Sequence, residues 1–213
     1  MLQIIAMITM LVDHVGLIFF PDTSLFRIVG RIAFPLYSWF LVQGYLHTRN
    51  HKKYMQRLFW LACASQIPYS LALQQLEFNV IFTLLLSLIA LYALDHLTPA
   101  LKIIVISGVF SSAILVPMDY GLYGILLIFI LRYFNQWGMI GCHMLLNLMF
   151  SLIYGPGYWI QLFSIFGTVL IANAYPIPYR SVVIGKWLYR SFYPAHLAIL
   201  YLISFWVEHF DIQ

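Results

Sequence analysis

Four side chains near the start of the chain have the types and spacing needed for acid–base chemistry. Asp13 and His14 are adjacent within the apolar run 2–20, and Arg27 and Arg31 follow in the next apolar run. An imidazole changes protonation near neutral pH and can take a proton from a nucleophile. Two arginines four residues apart share a helix face, where they could stabilise negative charge on a reacting carbonyl. These four residues form a candidate catalytic group.

The same group also allows a structural interpretation. Asp13 could pair with Arg31 or Arg27 only to neutralise buried charge. However, a charged side chain at the centre of a bilayer costs about 3 kcal/mol, and intramembrane charges usually mark pathways or sites. We therefore predict that His14 is a general base and that Asp13 orients it or holds its proton. The two arginines would stabilise charge or hold the site together.

The composition restricts the class of protein in which this group operates. Of the 213 residues, 63% are hydrophobic and 8% are charged, whereas soluble domains carry roughly 25% charged residues. The run 2–20 has no preceding basic segment and no small-residue cleavage site, so we expect a retained helix rather than a signal peptide. We predict one integral-membrane domain over residues 1–213, in contact with membrane lipid and without a nucleic-acid partner. The two cysteines lack metal-ligand spacing, so no metal site is predicted.

Nine apolar runs predict an all-α membrane bundle of about nine transmembrane or re-entrant helices. The runs are 2–20, 25–46, 54–73, 80–94, 101–116, 121–134, 138–153, 158–175 and 194–207. The sixth and seventh runs are shorter than the roughly 20 residues of a straight span, so we expect them to be re-entrant or to lie in a thinned bilayer. Within the seventh run, His143 and Asn147 either line the same cavity as the candidate catalytic group or hydrogen-bond across helices.

The lysines and arginines orient these helices. With nine spans, nine of the eleven Lys and Arg residues fall on one side, which the positive-inside rule makes cytoplasmic together with the amino terminus. They are Arg49, Lys52, Lys53, Arg57, Lys102, Arg132, Arg180, Lys186 and Arg190. The opposite side receives Asp22, Glu77, Asp119, Glu208 and Asp211. This orientation places the candidate catalytic group, together with Asp119, in the outer half of the membrane.

A second polar layer is predicted on the cytoplasmic side. It contains His47, Arg49, His51, Lys52, Lys53, Arg57, Arg180, Lys186, Arg190 and His196. Ordinary positive-inside topology and contact with lipid head groups explain Lys52 and Lys53. Arg57 precedes an apolar segment at the membrane edge, where its guanidinium could clamp a phosphate through two hydrogen bonds. The layer would suit a phosphorylated donor that enters from the cytoplasm.

Seven blocks of sequence, in order along residues 3–201, resemble the TraX family of conjugal-transfer proteins. They are residues 11–16 (LVDHVG), 27–35 (RIVGRIAFP), 43–49 (QGYLHTR), 65–69 (SQIPY), 79–83 (NVIFT), 119–121 (DYG) and 192–197 (FYPAHL). The resemblance implies a role in acetylating the amino terminus of pilin. TraX proteins are in turn similar to the integral-membrane acyltransferase-3 superfamily. There, a histidine of the first helix is the proposed catalytic residue, and cytoplasmic arginines contact acetyl-CoA.

The resemblance also implies roles for individual residues. His14 matches the catalytic histidine, and Arg57 is the best match for a cytoplasmic arginine, although residues 53–57 read KYMQR where the superfamily usually has two arginines. The residues expected to bind acetyl-CoA are Arg57, Arg49, His47 and His196. Those expected to bind the acceptor are Asp119 and Tyr120.

Residues and resemblance together predict a multi-pass acetyltransferase of the bacterial inner membrane. It would move an acetyl group from cytoplasmic acetyl-CoA, along the extended pantetheine arm, to an amine or hydroxyl acceptor on the periplasmic or extracellular side. The acceptor would be the pilin amino terminus or, alternatively, a surface glycan or lipid-linked sugar. A non-enzymatic, proton-coupled transporter that uses Asp13 and His14 as a relay is a second interpretation. A third is an assembly factor that packs beside pilin.

Overall fold

The chain forms a bundle of helices, seen in a computed structural model that describes residues 1–174 and 184–210. Within these residues the backbone forms ten α-helices and one 3-10 helix, and the only β-type contact is an isolated bridge between Phe78 and Met118. The helices are α1 (Leu2–Phe19), α2 (Ser24–Gly30), α3 (Ala33–His47), α4 (His51–Leu73), α5 (Val80–His96), α6 (Pro99–Leu115), α7 (Gly121–Tyr133), α8 (Gln136–Tyr154), the 3-10 helix (Pro156–Ser164), α9 (Ile165–Ala174) and α10 (Lys186–Phe210). The predicted all-α bundle is confirmed.

Each predicted apolar run corresponds to one helical pass. The second run comprises α2 and α3, and the eighth comprises the 3-10 helix followed by α9. Within the part of the chain that the structure describes, four segments are long and apolar enough to cross a membrane: Leu2–Phe19, Ser24–His47, Gln136–Tyr154 and Pro156–Ala174. The chain is therefore a membrane protein. Arg180 and Asp211, which entered the predicted charge pattern, lie outside the described residues.

Two predicted boundaries were wrong. The seventh run was expected to be short, but α8 has 19 residues and meets the length of a span. The last run was expected to begin at Pro194, but α10 begins at Lys186 and carries Pro194 in its interior. In both cases the helix begins in a polar segment, typical of a loop, that precedes the apolar run. For α10 the difference moves every later residue deeper along the helix.

Asparagine caps determine where three helices begin. The side-chain oxygens of Asn50, Asn79 and Asn135 accept backbone N–H groups in the first turns of α4, α5 and α8, at 2.9, 3.0 and 3.1 Å. Such a cap satisfies a donor that the helix itself leaves unpaired and contributes about 1 kcal/mol. These residues thus convert short connections into defined helix starts.

Successive connections lie at alternate ends of the bundle. Those at one end, flanked by Lys and Arg and called the basic end, are 48–50, 97–98 and 134–135. Those at the other end, which contain Asp and Glu and are called the acidic end, are 20–23, 74–79 and 116–120. The backbone N–H of Phe78 donates to Pro117 (3.0 Å) and its carbonyl accepts from Asp119 (2.9 Å). These two bonds fix the position of Asp119.

The packing order brings the first and last helices together. α7, at 13 residues about 20 Å long, contacts α3, α5, α6 and α8, and Tyr123 and Ile128 within it are at most 1% exposed. Because protein surrounds α7, its short length does not have to match the bilayer. On the other side of α3, α1 contacts α2, α4 and α10. The residues of α1 can therefore meet those of α10.

Candidate active site

Asp13 pairs with Arg27 and not with His14. Nη1 of Arg27 lies 2.7 Å from Oδ2 of Asp13, and among the described residues no hydrogen bond joins Asp13 to His14. Neighbouring residues on a helix point in different directions, so the predicted direct orientation of His14 by Asp13 is wrong. Gly30 makes the observed pairing possible, because a Cβ at that position would overlap the Asp13 carboxylate.

Arg31 has a different environment from Arg27. Its Nη1 donates to the hydroxyl of Tyr120 (3.2 Å) and to Oε1 of Gln161 on the 3-10 helix (3.0 Å). Among the described residues, the buried Nε of Arg31 and Oδ1 of Asp13 have no hydrogen-bond partner. The two arginines thus separate into one paired with a carboxylate and one held by neutral groups.

The connection before α7 places Tyr120 and Asp119 beside these arginines. Tyr120 has a positive φ of 65°, a conformation that costs about 1–3 kcal/mol and that clusters at functional sites. Its ring stacks on Phe34, with centroids 3.7 Å apart. Asp119 lies outside the helices, where burial and, to a smaller extent, the Glu77 carboxylate raise the pKa of Asp119 to about 7.

His14 is hydrogen-bonded to His196 on α10. Nδ1 of His14 lies 2.7 Å from Nε2 of His196, and the two rings are nearly parallel, at 16°, with centroids 4.9 Å apart. The two residues are 8% and 5% exposed. The predicted placement of His196 in the cytoplasmic layer is wrong, because α10 begins at Lys186 and His196 lies ten residues, about 15 Å, along it.

One cavity of about 520 Å³ is lined by residues from both the basic and the acidic end of the bundle. Six of the predicted site residues line it: Asp13, His14, His47, Arg57, Asp119 and Tyr120. Gln3 and His14, both on α1 and both lining the cavity, are eleven residues or about 16 Å apart along the helix. The two polar layers inferred from sequence therefore share a single internal space.

The middle of this cavity is mostly apolar and aromatic. Its lining there includes Phe40, Leu58 and Leu61, with tyrosines between them. Gly44 allows Tyr54 to pack closely against α3, because a Cβ at Gly44 would lie 2.7 Å from the Tyr54 hydroxyl. Such walls suit a thin, weakly polar chain more than a hydrated ion.

The remaining predicted residues lie around the cavity. Arg27, Arg31 and His196 contact lining residues without lining the cavity themselves, whereas Arg49 is exposed on the connection next to Thr48, which does line it. Arg190 also lines the basic end of the cavity; the sequence placed it in the cytoplasmic layer without selecting it. Gln161 was missed, because a neutral amide in an apolar run gives no electrostatic signal.

A second group of buried polar residues lies between α7, α8 and α9. The Tyr123 hydroxyl is 2.8 Å from Nε2 of His143 and donates to Oδ1 of Asn147 (2.8 Å). Nδ1 of His143 is 2.6 Å from Oγ1 of Thr168. None of these four residues is among those that line the cavity. Of the two interpretations for His143 and Asn147, the structure supports hydrogen bonding across helices.

Comparison with known proteins identifies relatives over most of the chain. The family described as "TraX protein" matches residues 1–204. The "Probable fimbrial assembly protein FimC, serogroup H1" of Dichelobacter nodosus is 35% identical over 150 residues, which cover 62% of this chain and 61% of that protein. An uncharacterized protein of Rickettsia prowazekii (strain Madrid E) is 42% identical over 40 residues, 19% of this chain and 16% of that protein. The chain thus matches less than two thirds of the length of either relative. No solved structure matches it.

Proposed function

The chain belongs to the TraX family, and from this premise we propose that it is an integral-membrane acetyltransferase. Acetyl-CoA would enter from the cytoplasm at the basic end, and an amine or hydroxyl acceptor would enter at the acidic end. The observation that carries the proposal is the cavity that runs from Arg57 and Arg190 to His14. A donor with a charged nucleotide, a thin arm and a reactive tip matches the basic mouth, the apolar middle and the polar end of that cavity.

The residues at the basic end have the chemistry of a nucleotide site. Arg57 and Arg190 are exposed at the mouth, where they can bind phosphates. The guanidinium of Arg57 lies 5.9 Å from the Tyr54 ring centroid and its Nε donates to the Lys53 carbonyl (3.2 Å), which limits its movement. His47 lines the same mouth. Arg49, on the exposed connection, would extend this positive surface.

His14 is the base in the proposed reaction. The acceptor is a hydroxyl or a neutral amine; an ammonium group first loses its extra proton to water. His14 takes a proton from this acceptor as its nitrogen or oxygen forms a bond to the thioester carbonyl carbon. The tetrahedral intermediate collapses as the carbon–sulfur bond breaks, and the proton held by His14 passes to the departing thiolate. The arginines lie directly behind the lining residues Asp13 and Tyr120, and from there they supply positive charge near the developing oxyanion.

The proposed acceptor is the amino terminus of a pilin subunit. The TraX name and the fimbrial-assembly name of the Dichelobacter relative support this choice, and the acidic end carries Glu77 and Asp119, which attract an ammonium group. A surface glycan or a lipid-linked sugar is the alternative. Either acceptor requires the protein to lie in the bacterial inner membrane with its basic end in the cytoplasm.

The test is transfer of labelled acetyl from acetyl-CoA to a synthetic peptide with amino-terminal alanine, using protein in detergent micelles. We expect His14→Ala to lower the rate at least about 100-fold. His209→Ala, which alters an exposed histidine of α10, is the matched control and should keep full activity. Full activity of His14→Ala would overturn the proposed site.

A proton-coupled transporter is the second candidate, and the hydrogen-bonded His14–His196 pair favours it because linked imidazoles can pass protons. The two classes differ in ligand binding. An acetyltransferase should be stabilised against heat by acetyl-CoA, by about 2.7 kcal/mol at one hundred times the dissociation constant. Absence of that stabilisation, together with solute uptake driven by a pH gradient, would identify the transporter.

A further inference from the structure

We propose that His196 is a positioning residue that fixes the tautomer of His14 and so selects Nε2 of His14 as the nitrogen that exchanges protons with the acceptor. The proposal rests on the acetyl transfer proposed above and deepens it. It replaces both the role that the resemblance implies for His196, binding acetyl-CoA, and the role predicted for Asp13 as the group that orients the base.

The proton positions follow from the hydrogen-bond partners of His196. Its Nδ1 lies 2.6 Å from the carbonyl oxygen of Phe192, and a carbonyl can only accept, so Nδ1 carries the proton. In the neutral ring Nε2 is then without a proton and must accept. The atom that faces it at 2.7 Å is Nδ1 of His14, which therefore donates.

This arrangement leaves His14 with one available nitrogen. With its proton on Nδ1, neutral His14 has a lone pair on Nε2, and among the described residues no hydrogen-bond partner occupies that atom. His14 lines the cavity. A nitrogen with a free lone pair beside an internal space is what a general base requires.

Aromatic contacts hold His196 in this orientation. Its ring is nearly parallel to the rings of Phe192 and His14, with centroid distances of 4.8 and 4.9 Å. The ring of Tyr193 meets both imidazoles edge-on, at 5.8 Å from His196 and 6.2 Å from His14. A ring packed on several sides loses little entropy when it accepts the hydrogen bond, so the tautomer of His14 is strongly favoured.

Asp13 cannot fix the tautomer of His14 in the way that His196 does. Its carboxylate pairs with Arg27 at 2.7 Å, and its neighbour His14 points elsewhere on the helix. The base is therefore supported by a neutral imidazole. When Nε2 of His14 takes up the proton of the acceptor, the proton on Nδ1 can shift to Nε2 of His196, and the positive charge is shared by two rings. As Nε2 of His14 gives the acceptor's proton to the departing thiolate, the shared proton returns from Nε2 of His196 to Nδ1 of His14.

The experiment compares His196→Leu, which removes the acceptor, with His196→Gln, whose side-chain oxygen can accept from Nδ1 of His14. We expect His196→Leu to lower kcat about 100-fold with an unchanged KM for acetyl-CoA, and His196→Gln to recover at least tenfold of that loss. Nitrogen NMR of isotope-labelled histidine, assigned with His14→Gln, should show His14 protonated at Nδ1 in the wild type. His209→Leu on the same helix is the control and should behave as wild type.

Three results would overturn the proposal: full kcat in His196→Leu, a rise in the KM for acetyl-CoA as its only effect, or a wild-type spectrum with His14 protonated at Nε2. If the leucine variant does not fold, the glutamine variant and the wild-type spectrum decide. Failure of the proposed function gives a different pattern. In that case the wild type transfers no acetyl group, whereas the spectrum still reports the Nδ1 tautomer that His196 imposes.

Discussion

Two buried histidines of this bundle differ in how fully their ring nitrogens are used. Both nitrogens of His143 lie within hydrogen-bond distance of hydroxyls, Nδ1 of Thr168 at 2.6 Å and Nε2 of Tyr123 at 2.8 Å. His14 uses Nδ1 for His196, and it lines the cavity. Burial does not separate the two residues, which are 0% and 8% exposed. The difference is that both ring nitrogens of His143 have a hydrogen-bond partner, whereas Nε2 of His14 has none among the described residues.

The comparison extends to the neighbours of each histidine. Around His143 the network is closed by hydroxyl and amide groups that cost little to bury once they are paired. Around His14 lie charges, and among the described residues Oδ1 of Asp13 and Nε of Arg31 are buried without a hydrogen-bond partner. Unsatisfied polar atoms are costly and are retained where they serve a ligand or a reaction. Incomplete pairing therefore distinguishes the surroundings of His14 from those of His143, whereas burial does not.

The strongest test of this contrast is a pair of alanine substitutions. His143→Ala leaves the Tyr123 and Thr168 hydroxyls short of a partner and should lower the free energy of unfolding by about 3 kcal/mol. The acetyl-transfer rate per folded molecule should stay within a few-fold of wild type. His14→Ala should show the reverse pattern. Thermal unfolding in detergent measures the stability of both variants, and the transfer assay measures their activity. Equal loss of activity in both variants would show that the two histidines do not differ in function.

Gly30→Ala should disturb the surroundings of His14 and leave those of His143 unchanged. The added Cβ would overlap the Asp13 carboxylate, and overpacking of this kind costs about 1–3 kcal/mol. Because the clash pushes α1 away from α2, His14 moves with it, and we expect at least a tenfold lower transfer rate. In the control, Gly141→Ala on α8, the new Cβ meets nothing within 4 Å. An active Gly30→Ala enzyme would show that the close contact of α1 and α2 is dispensable.

Arg57→Ala tests whether the basic end of the cavity serves binding and the end at His14 serves chemistry. Loss of a charge-assisted phosphate contact should raise the KM for acetyl-CoA about tenfold, equivalent to about 1.4 kcal/mol, and leave kcat unchanged. Lys53→Ala alters an exposed residue one helical turn earlier that is not among those lining the cavity, and it should leave both constants unchanged. A fall in kcat without a change in KM would place Arg57 in the chemistry instead of the binding step.

The smallest effect concerns pH and the acidic end. The pKa of Asp119 is raised to about 7 from 3.8, so between these values the folded protein keeps a proton that the unfolded chain releases. Wild-type stability should therefore fall as the pH rises through this window. The melting temperature of Asp119→Asn should fall less between pH 5 and pH 8. Parallel pH profiles of the two proteins would contradict the raised pKa.

The sequence predicted the parts of this structure that depend on local pattern. Runs of apolar residues report helical passes directly, and charged residues inside them are conspicuous, so Asp13, His14, Arg27 and Arg31 were found. The partners of these residues were not. Both arginines lie within reach of Asp13, and the choice of Arg27 depends on how closely α1 and α2 approach at Gly30. That approach is a tertiary property.

His196 is the site residue whose position along the bundle was predicted wrongly. It lies 182 residues from His14 along the chain, and its depth depends on where α10 begins. Pro194 resembles a helix start, because proline is common in the first turn and disrupts helix interiors. The structure nevertheless continues α10 through it. The residues around position 196 do not indicate that the helix continues through Pro194, because packing against α1 and α4 supports the helix there.

The apolar middle of the cavity has a consequence for the cell that would carry this protein. A cavity that reaches from the basic end toward the acidic end would dissipate the ion gradient of an energised membrane if water filled it and extended it to both faces. Apolar walls, such as those formed by Phe40, Leu58 and Leu61, disfavour water and the entry of ions. The apolar walls that would guide the arm of a donor thus also hinder the flow of ions through the protein. An added polar side chain at Leu58 should make the membrane leaky to protons before it alters any acetyl transfer.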